Sequence, residues 1–152
     1  GKGLGNGYPV SSVTINAALA GKFEMAPFRY AQSHQNDPLG CAIALETIKI
    51  MENKSLVDKA GITGDYFKEQ LEVLEGKHKG KIKEVRARGL MLAITFNEPV
   101  NGEQISRQLF DHGFVAGFKL NTLRFLPPLT IKPWDIDRLI ITLDQLLENQ
   151  SN

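Results

Sequence analysis

From residue 38 onward, apolar positions recur first at helical and then at alternating spacing, and the switches mark out successive elements. Pro38 suits a first helical turn, with Asp37 as its N-cap. Leu39, Ala42, Ile43, Leu45, Ile50 and Met51 then form an apolar face broad enough to predict a largely buried helix, broken at Asn53-Lys54. Ser55-Leu56-Val57-Asp58 resembles a capping box with Asp in place of Glu or Gln. It opens a helix carrying Leu56, Ala60, Gly64, Phe67, Leu71 and Leu74 at steps of three and four. Gly61 and Gly64 each weaken that helix by up to about 1 kcal/mol unless they permit close packing, and the stretch 76–80 ends it. Residues 82–86 and 90–96 read as strands flanking Ala87-Arg88-Gly89, and 98–101 as a turn. Residues 103–112 read as a helix with Ile105, Leu109 and Phe110 inward and Gly113 at its C-terminal end. Residues 114–119 and 122–126 read as a hairpin across Leu120-Asn121, stopped by Pro127-Pro128. Pro133 opens the last helix, with Ile136, Leu139, Ile140, Leu143 and Leu147 as its buried stripe.

The order from about residue 54 is helix, strand, strand, helix, strand, strand, helix. That is an α+β layer, a small and mainly antiparallel sheet covered by helices. The first 37 residues are rich in Gly, Ala, Ser and aromatics and show little helical period. Only 9–15 reads as a strand, and a lone strand leaves its backbone groups unsatisfied. The expected division is 1–53 and 54–152, with the Pro38 helix closing the first part. No internal repeat or low-complexity segment is present.

Composition narrows the possibilities. The 152 residues are 42% hydrophobic and 23% charged, with 18 Lys and Arg against 17 Asp and Glu. A formal net charge of +1 gives no electrostatic case for nucleic acid or an anionic membrane. No apolar run approaches the roughly 20 residues that span a bilayer. The single cysteine, Cys41, excludes an intramolecular disulfide, fits a reducing cytoplasm and reads as a small buried hydrophobe. His34, His78 and His112 have no metal-ligand spacing. The glycines of Gly3-Leu4-Gly5-Asn6-Gly7 do not follow the dinucleotide-binding spacing, and no Gly-Lys-Ser/Thr occurs.

Candidate chemistry lies in three segments in order: Lys2-Gly3-Leu4-Gly5-Asn6-Gly7-Tyr8-Pro9, Ser33-His34-Gln35-Asn36-Asp37-Pro38-Leu39, and Leu123-Arg124-Phe125-Leu126-Pro127-Pro128-Leu129. Val85-Arg86-Ala87-Arg88-Gly89-Leu90-Met91 supports them. Over essentially its whole length the chain resembles the C-terminal part of the class III aminotransferases, fold type I pyridoxal 5'-phosphate (PLP) enzymes that include acetylornithine, ornithine and 4-aminobutyrate aminotransferases. The resemblance implies that 54–152 is the C-terminal small domain and 1–53 a remnant of the large PLP-binding α/β domain, including the interdomain helix.

By that resemblance Lys2 is the Schiff-base lysine. A neutral lysine amine can attack the cofactor aldehyde and later carry a proton, tasks that Arg or Gln cannot combine. The glycines after it would let backbone approach the cofactor. Ser33 stands where the family usually has threonine, and implies a hydroxyl on the PLP phosphate of the neighbouring subunit in a homodimer with composite active sites. The nearby start of the Pro38 helix also favours anions. His34, Gln35 and Asn36 depart from the family's usual Phe-Gly-Gly. Arg124 matches the arginine that binds a substrate carboxylate, for which its planar fork is suited. Arg86 and Arg88 are expected on the surface or in structural pairs.

The implied reaction moves an amino group from an amino-acid or ω-amino donor to 2-oxoglutarate. The family's aspartate on the pyridine nitrogen, its ring-stacking aromatic and its Gly-Ser/Thr phosphate loop would lie upstream of Lys2. The chain by itself is therefore expected to be an inactive fragment. The same motifs serve PLP-dependent aminomutases and amino-acid epimerases, and the fold could serve a non-catalytic interaction domain.

Overall fold

The structure, a computed structural model, describes residues 2–26 and 30–150. Two compact units divide the chain, 1–54 and 55–152.

In the first unit, α1 spans Ala17–Met25 and α2 spans Pro38–Asn53. The Asp37 carboxylate accepts the Gly40 amide at 3.1 Å, so the proline-opened, aspartate-capped start of α2 forms as expected. Three expectations fail here. Residues 9–15 are irregular rather than a strand, and α1 follows directly, its Asn16 side chain capping Leu19 N at 2.8 Å. No described neighbour offers a ladder to residues 9–15, whereas Asn16 followed by Ala17-Ala18-Leu19-Ala20 supplies a local helix start. The α2 face is not buried either. Only Gly40 is, and Leu39, Leu45, Ile48 and Ile50 are exposed. Cys41, expected to be buried, is exposed on the same helix. The described part of this unit has no sheet or second long helix to lay over that face.

The second unit runs α3 (Leu56–Lys77), β1 (Ile82–Arg88), β2 (Met91–Phe96), α4 (Gly102–Asp111), β3 (Gly117–Lys119), β4 (Thr122–Phe125) and α5 (Pro133–Glu148). The four strands form one antiparallel sheet in the order β1-β2-β4-β3. Leu92, Ile94 and Phe96 of β2 and Leu123 and Phe125 of β4 point to one face. There they meet Phe67, Leu71 and Leu74 of α3, Ile105 and Leu109 of α4, and Ile136, Leu143 and Leu147 of α5. The α+β fold class is as expected.

All six apolar positions expected on α3 are buried. Its glycines act differently. A Cβ on Gly64 would stand 2.7 Å from Gly89 Cα and closer still to the Gly89 carbonyl, whereas one on Gly61 would meet nothing within 4 Å. Gly64 therefore lets the helix lie directly on the β1–β2 turn.

Local differences have local causes. Ser55 sits in the left-handed region (φ 48°) and its hydroxyl caps nothing, because the cap bond needs an extended backbone at that position. β1 continues through Ala87 and Arg88, which pair with Leu92 and Met91, so the turn shrinks to Gly89-Leu90 with Gly89 at φ 52°. Phe110 is exposed and Ser106 buried in its place, since 105, 106 and 109 share the inward arc of α4. The Ser106 hydroxyl takes the Ala116 carbonyl at 2.8 Å, and β3 begins only at Gly117. β4 stops at Phe125, leaving Leu126 exposed. On α5 Leu146 is buried and Ile140 only half-buried.

The C-terminal turn of α3 is fastened to α5. Buried His78 Nε2 lies 2.6 Å from Asp144 Oδ1, and Lys77 pairs with Asp144 at 2.5 Å and Glu148 at 2.8 Å. Lys81 donates to the carbonyls of Leu147 (2.8 Å) and Gln150 (2.7 Å), closing the end of α5. The Tyr66 hydroxyl bonds Asp137 across the same helix pair.

Candidate functional site

Lys2 opens a tight glycine turn and is exposed. Two backbone bonds fold the turn, Asn6 N to Gly3 O at 3.2 Å and Tyr8 N to Gly5 O at 2.9 Å. Asn6 and Gly7 both take positive φ, 43° and 109°. Gly5 is buried against the Tyr8 carbonyl, where no side chain fits, while Gly3 and Gly7 face open space. Lys2, Gly3, Asn6, Gly7, Tyr8 and Pro9 line a shallow open depression. Its chemistry is one primary amine beside bare, strongly turned backbone.

The end of that turn is tied to α2. The Tyr8 hydroxyl donates to Asp37 Oδ2 at 3.0 Å, the same oxygen that caps Gly40 N. A Cβ on Gly40 would make ordinary van der Waals contact with the Tyr8 ring at 3.5 Å and Val10 at 3.6 Å, so the segment lies about one methyl's reach from the helix there. The Gly40 amide, the Tyr8 hydroxyl and the Leu39 amide hold the Asp37 carboxyl below its ordinary range against an opposing effect of burial. Donating to Asp37, with burial and the carboxylate charge, raises the Tyr8 phenol pKa. At the start of α2 the Gly40 amide is taken by the chain's own Asp37 carboxylate. The Tyr8–Asp37 link is also the feature that sequence reasoning missed. Asp37 read only as a cap, and nothing in the spacing of 29 residues marked Tyr8 as its partner.

Ser33 begins the turn 33–36, closed by Gln35 N to Gln32 O (3.1 Å) and Asp37 N to His34 O (3.3 Å), with Asn36 at φ 58°. Ser33 is exposed, and its hydroxyl has no hydrogen-bond partner among the described residues. It is thus four residues before the carboxylate that holds the lysine turn.

Arg124 belongs to the second unit. It lies on β4 with its side chain on the sheet face opposite the core, opposite Ala93 on one side and Gly117 on the other. Both neighbours are small, so the guanidinium is exposed and has no acidic partner among the described residues. On the same face Arg86 is committed to Glu84 at 2.7 Å, and Thr95 and Thr122 share a 2.9 Å hydroxyl contact. Arg86 is therefore a structural pair, as expected, whereas Arg124 keeps its full donor set.

Among the described residues no helix is long and apolar enough to cross a membrane, and no cluster of three or more His, Cys, Asp or Glu could hold a metal ion. The exposed amine of Lys2 beside bare glycine backbone suits an aldehyde-bearing cofactor, and the exposed Ser33 hydroxyl suits a phosphate oxygen.

Residues 1–147 match the aminotransferase class-III family. The chain is 34% identical over 151 residues to the ornithine aminotransferase of Oceanobacillus iheyensis, covering 98% of this chain and 36% of that protein. It is 30% identical over 146 residues to the acetylornithine aminotransferase of Caldanaerobacter subterraneus subsp. tengcongensis, covering 96% of this chain and 36% of that one. A solved Bacillus anthracis aminotransferase shares the fold with a TM-score of 0.73 at 24% identity, over 81% of this chain and 31% of its own. The chain thus spans about a third of the length of the relatives it matches.

Proposed function

Because the chain belongs to the class III aminotransferases, we propose that it is the lysine-bearing and carboxylate-binding part of a PLP-dependent aminotransferase. The observation that carries this reading is the family match across residues 1–147, which includes Lys2 in its exposed glycine turn. Residues 1–53 are read as part of the large cofactor-binding domain and 54–152 as the small domain.

Lys2 supplies the amine that holds the cofactor and afterwards moves a proton to and from the substrate carbon. The Ser33 hydroxyl donates to the cofactor phosphate of the neighbouring subunit in a cytoplasmic homodimer. Arg124 grips a substrate carboxylate through two parallel bonds, which its lack of an acidic partner leaves available. PLP, when bound, supplies the electron sink that accepts the pair left behind when the substrate carbon loses its proton.

The donor class is an amino acid with an ω-amino group, in line with the ornithine and acetylornithine aminotransferases among its relatives, and the acceptor is 2-oxoglutarate. The 152 residues by themselves are inactive on this reading, since they span 36% of those relatives. The test incubates the full-length protein with PLP, ornithine or acetylornithine, and 2-oxoglutarate, and follows glutamate. Glutamate formation that requires the oxo acid supports the proposal. Rearrangement or racemisation of the amino acid without any oxo acid would overturn it.

A further inference from the structure

We propose that Tyr8 and Asp37 are positioning residues: their hydrogen bond fixes the Lys2 turn against the first turn of α2, and so sets the direction from which the lysine amine is offered. The inference deepens the reading of Lys2 above and rests on it for its functional meaning.

The contacts are specific. Asp37 Oδ2 is the meeting point of the Tyr8 hydroxyl at 3.0 Å and the Gly40 amide at 3.1 Å. The Lys2 turn has two backbone bonds of its own, and two of its residues, Asn6 and Gly7, are at positive φ. A turn of that kind holds few local bonds per residue fixed, so an attachment from outside decides how often it opens. Tyr8 supplies that attachment at the turn's last residue. The backbone amide of the same Asp37 donates to the His34 carbonyl at 3.3 Å, so the residue that takes Tyr8 also borders the turn that carries Ser33.

Tyr8→Phe removes the hydroxyl and keeps the ring. The bond is partly exposed and correspondingly modest, so the Asn6 and Tyr8 amides should exchange with solvent about threefold faster. Amides deeper in α2 should keep their rates. Asp37→Asn retains an oxygen that can accept both bonds and should stay near wild type, whereas Asp37→Leu should match Tyr8→Phe at the turn. The functional readout is reductive capture of pyridoxal phosphate by the full-length protein. The amine nitrogen bonds to the aldehyde carbon, the oxygen leaves as water, and borohydride then delivers hydride to the carbon–nitrogen double bond. Peptide mapping gives the adduct at Lys2 relative to exposed Lys22, and this ratio should fall by a similar factor in Tyr8→Phe and recover in Asp37→Asn. Turn amides that exchange at wild-type rates in Tyr8→Phe, or α2 amides that accelerate equally, would overturn the inference. A wild-type Lys2 captured no more than Lys22 would instead sink the cofactor reading, and the exchange rates would still decide the clasp.

Discussion

Two glycines on one helix predict opposite responses to the same substitution. Gly61 and Gly64 both lie within α3, and in each alanine removes backbone freedom worth about 1 kcal/mol of helix propensity. At position 61 the added methyl meets nothing within 4 Å, so Gly61→Ala should stabilise the second unit by about 0.5–1 kcal/mol. At position 64 the methyl would fall 2.7 Å from Gly89 Cα and nearer its carbonyl. The obstacle is backbone and cannot rotate aside. Gly89 itself is at φ 52°, in a two-residue turn whose strands are fixed by pairing, so α3 must lift from the sheet. Overpacking of this kind costs about 1–3 kcal/mol, and rigid backbone puts it at the upper end. After the propensity gain Gly64→Ala should lose about 2 kcal/mol, leaving the two variants roughly 3 kcal/mol apart. Urea denaturation followed by fluorescence reads this unit alone, because Trp134 at the start of α5 is the only tryptophan in the chain. Equal stability of the two variants, or a Gly64→Ala chain more stable than wild type, would refute the close approach of α3 to the β1–β2 turn.

Asp144→Ala should cost about 2 kcal/mol in the same assay, chiefly by stranding His78, whose side chain is 7% exposed; the half-exposed Lys77 pairs add little. Burial works to raise the Asp144 pKa, but the bonds from Lys77 and His78 outweigh it and hold the carboxyl low. Its contribution is therefore present above the ordinary aspartate pKa and lost as pH falls through the depressed one; a stability–pH curve that Asp144→Asn leaves unchanged at acid pH would contradict this. Asp37 carries the same sign, so the part of Gly40 amide protection that depends on its charge should persist at neutral pH and fade only in the acid range below the ordinary carboxylate pKa, leaving the protection a neutral acceptor gives, as read by amide exchange against pH. Arg124→Lys in the full-length protein should raise KM for the carboxylate substrate about tenfold or more, with a smaller change in kcat, since an ammonium cannot make the paired bonds. An unchanged KM would remove Arg124 from substrate binding.

The second unit was legible because its signals are local and repeated. Six positions at helical spacing defined the buried side of α3, and proline and glycine marked the ends of α4 and α5. Errors fell where one residue's surroundings override a pattern. Phe110 looks inward by hydrophobicity and sits one step off the arc, and Ser106 takes its place because Ala116 offers a carbonyl. The first unit was harder to read. The face of α2 is apolar, yet burial depends on what covers it, which periodicity does not encode. Lys2, Ser33 and Arg124 stood out through family resemblance rather than through any pattern of their own. The bond between Tyr8 and Asp37 joins residues with no sequence relation, and only the fold reveals it.

The measurement that bears most directly on the central claim is borohydride reduction of the full-length protein after incubation with PLP, followed by peptide mass spectrometry. The account predicts one dominant pyridoxyl adduct, on Lys2, abolished by Lys2→Arg. An adduct spread evenly over exposed lysines, or one dominant at another lysine, would contradict it.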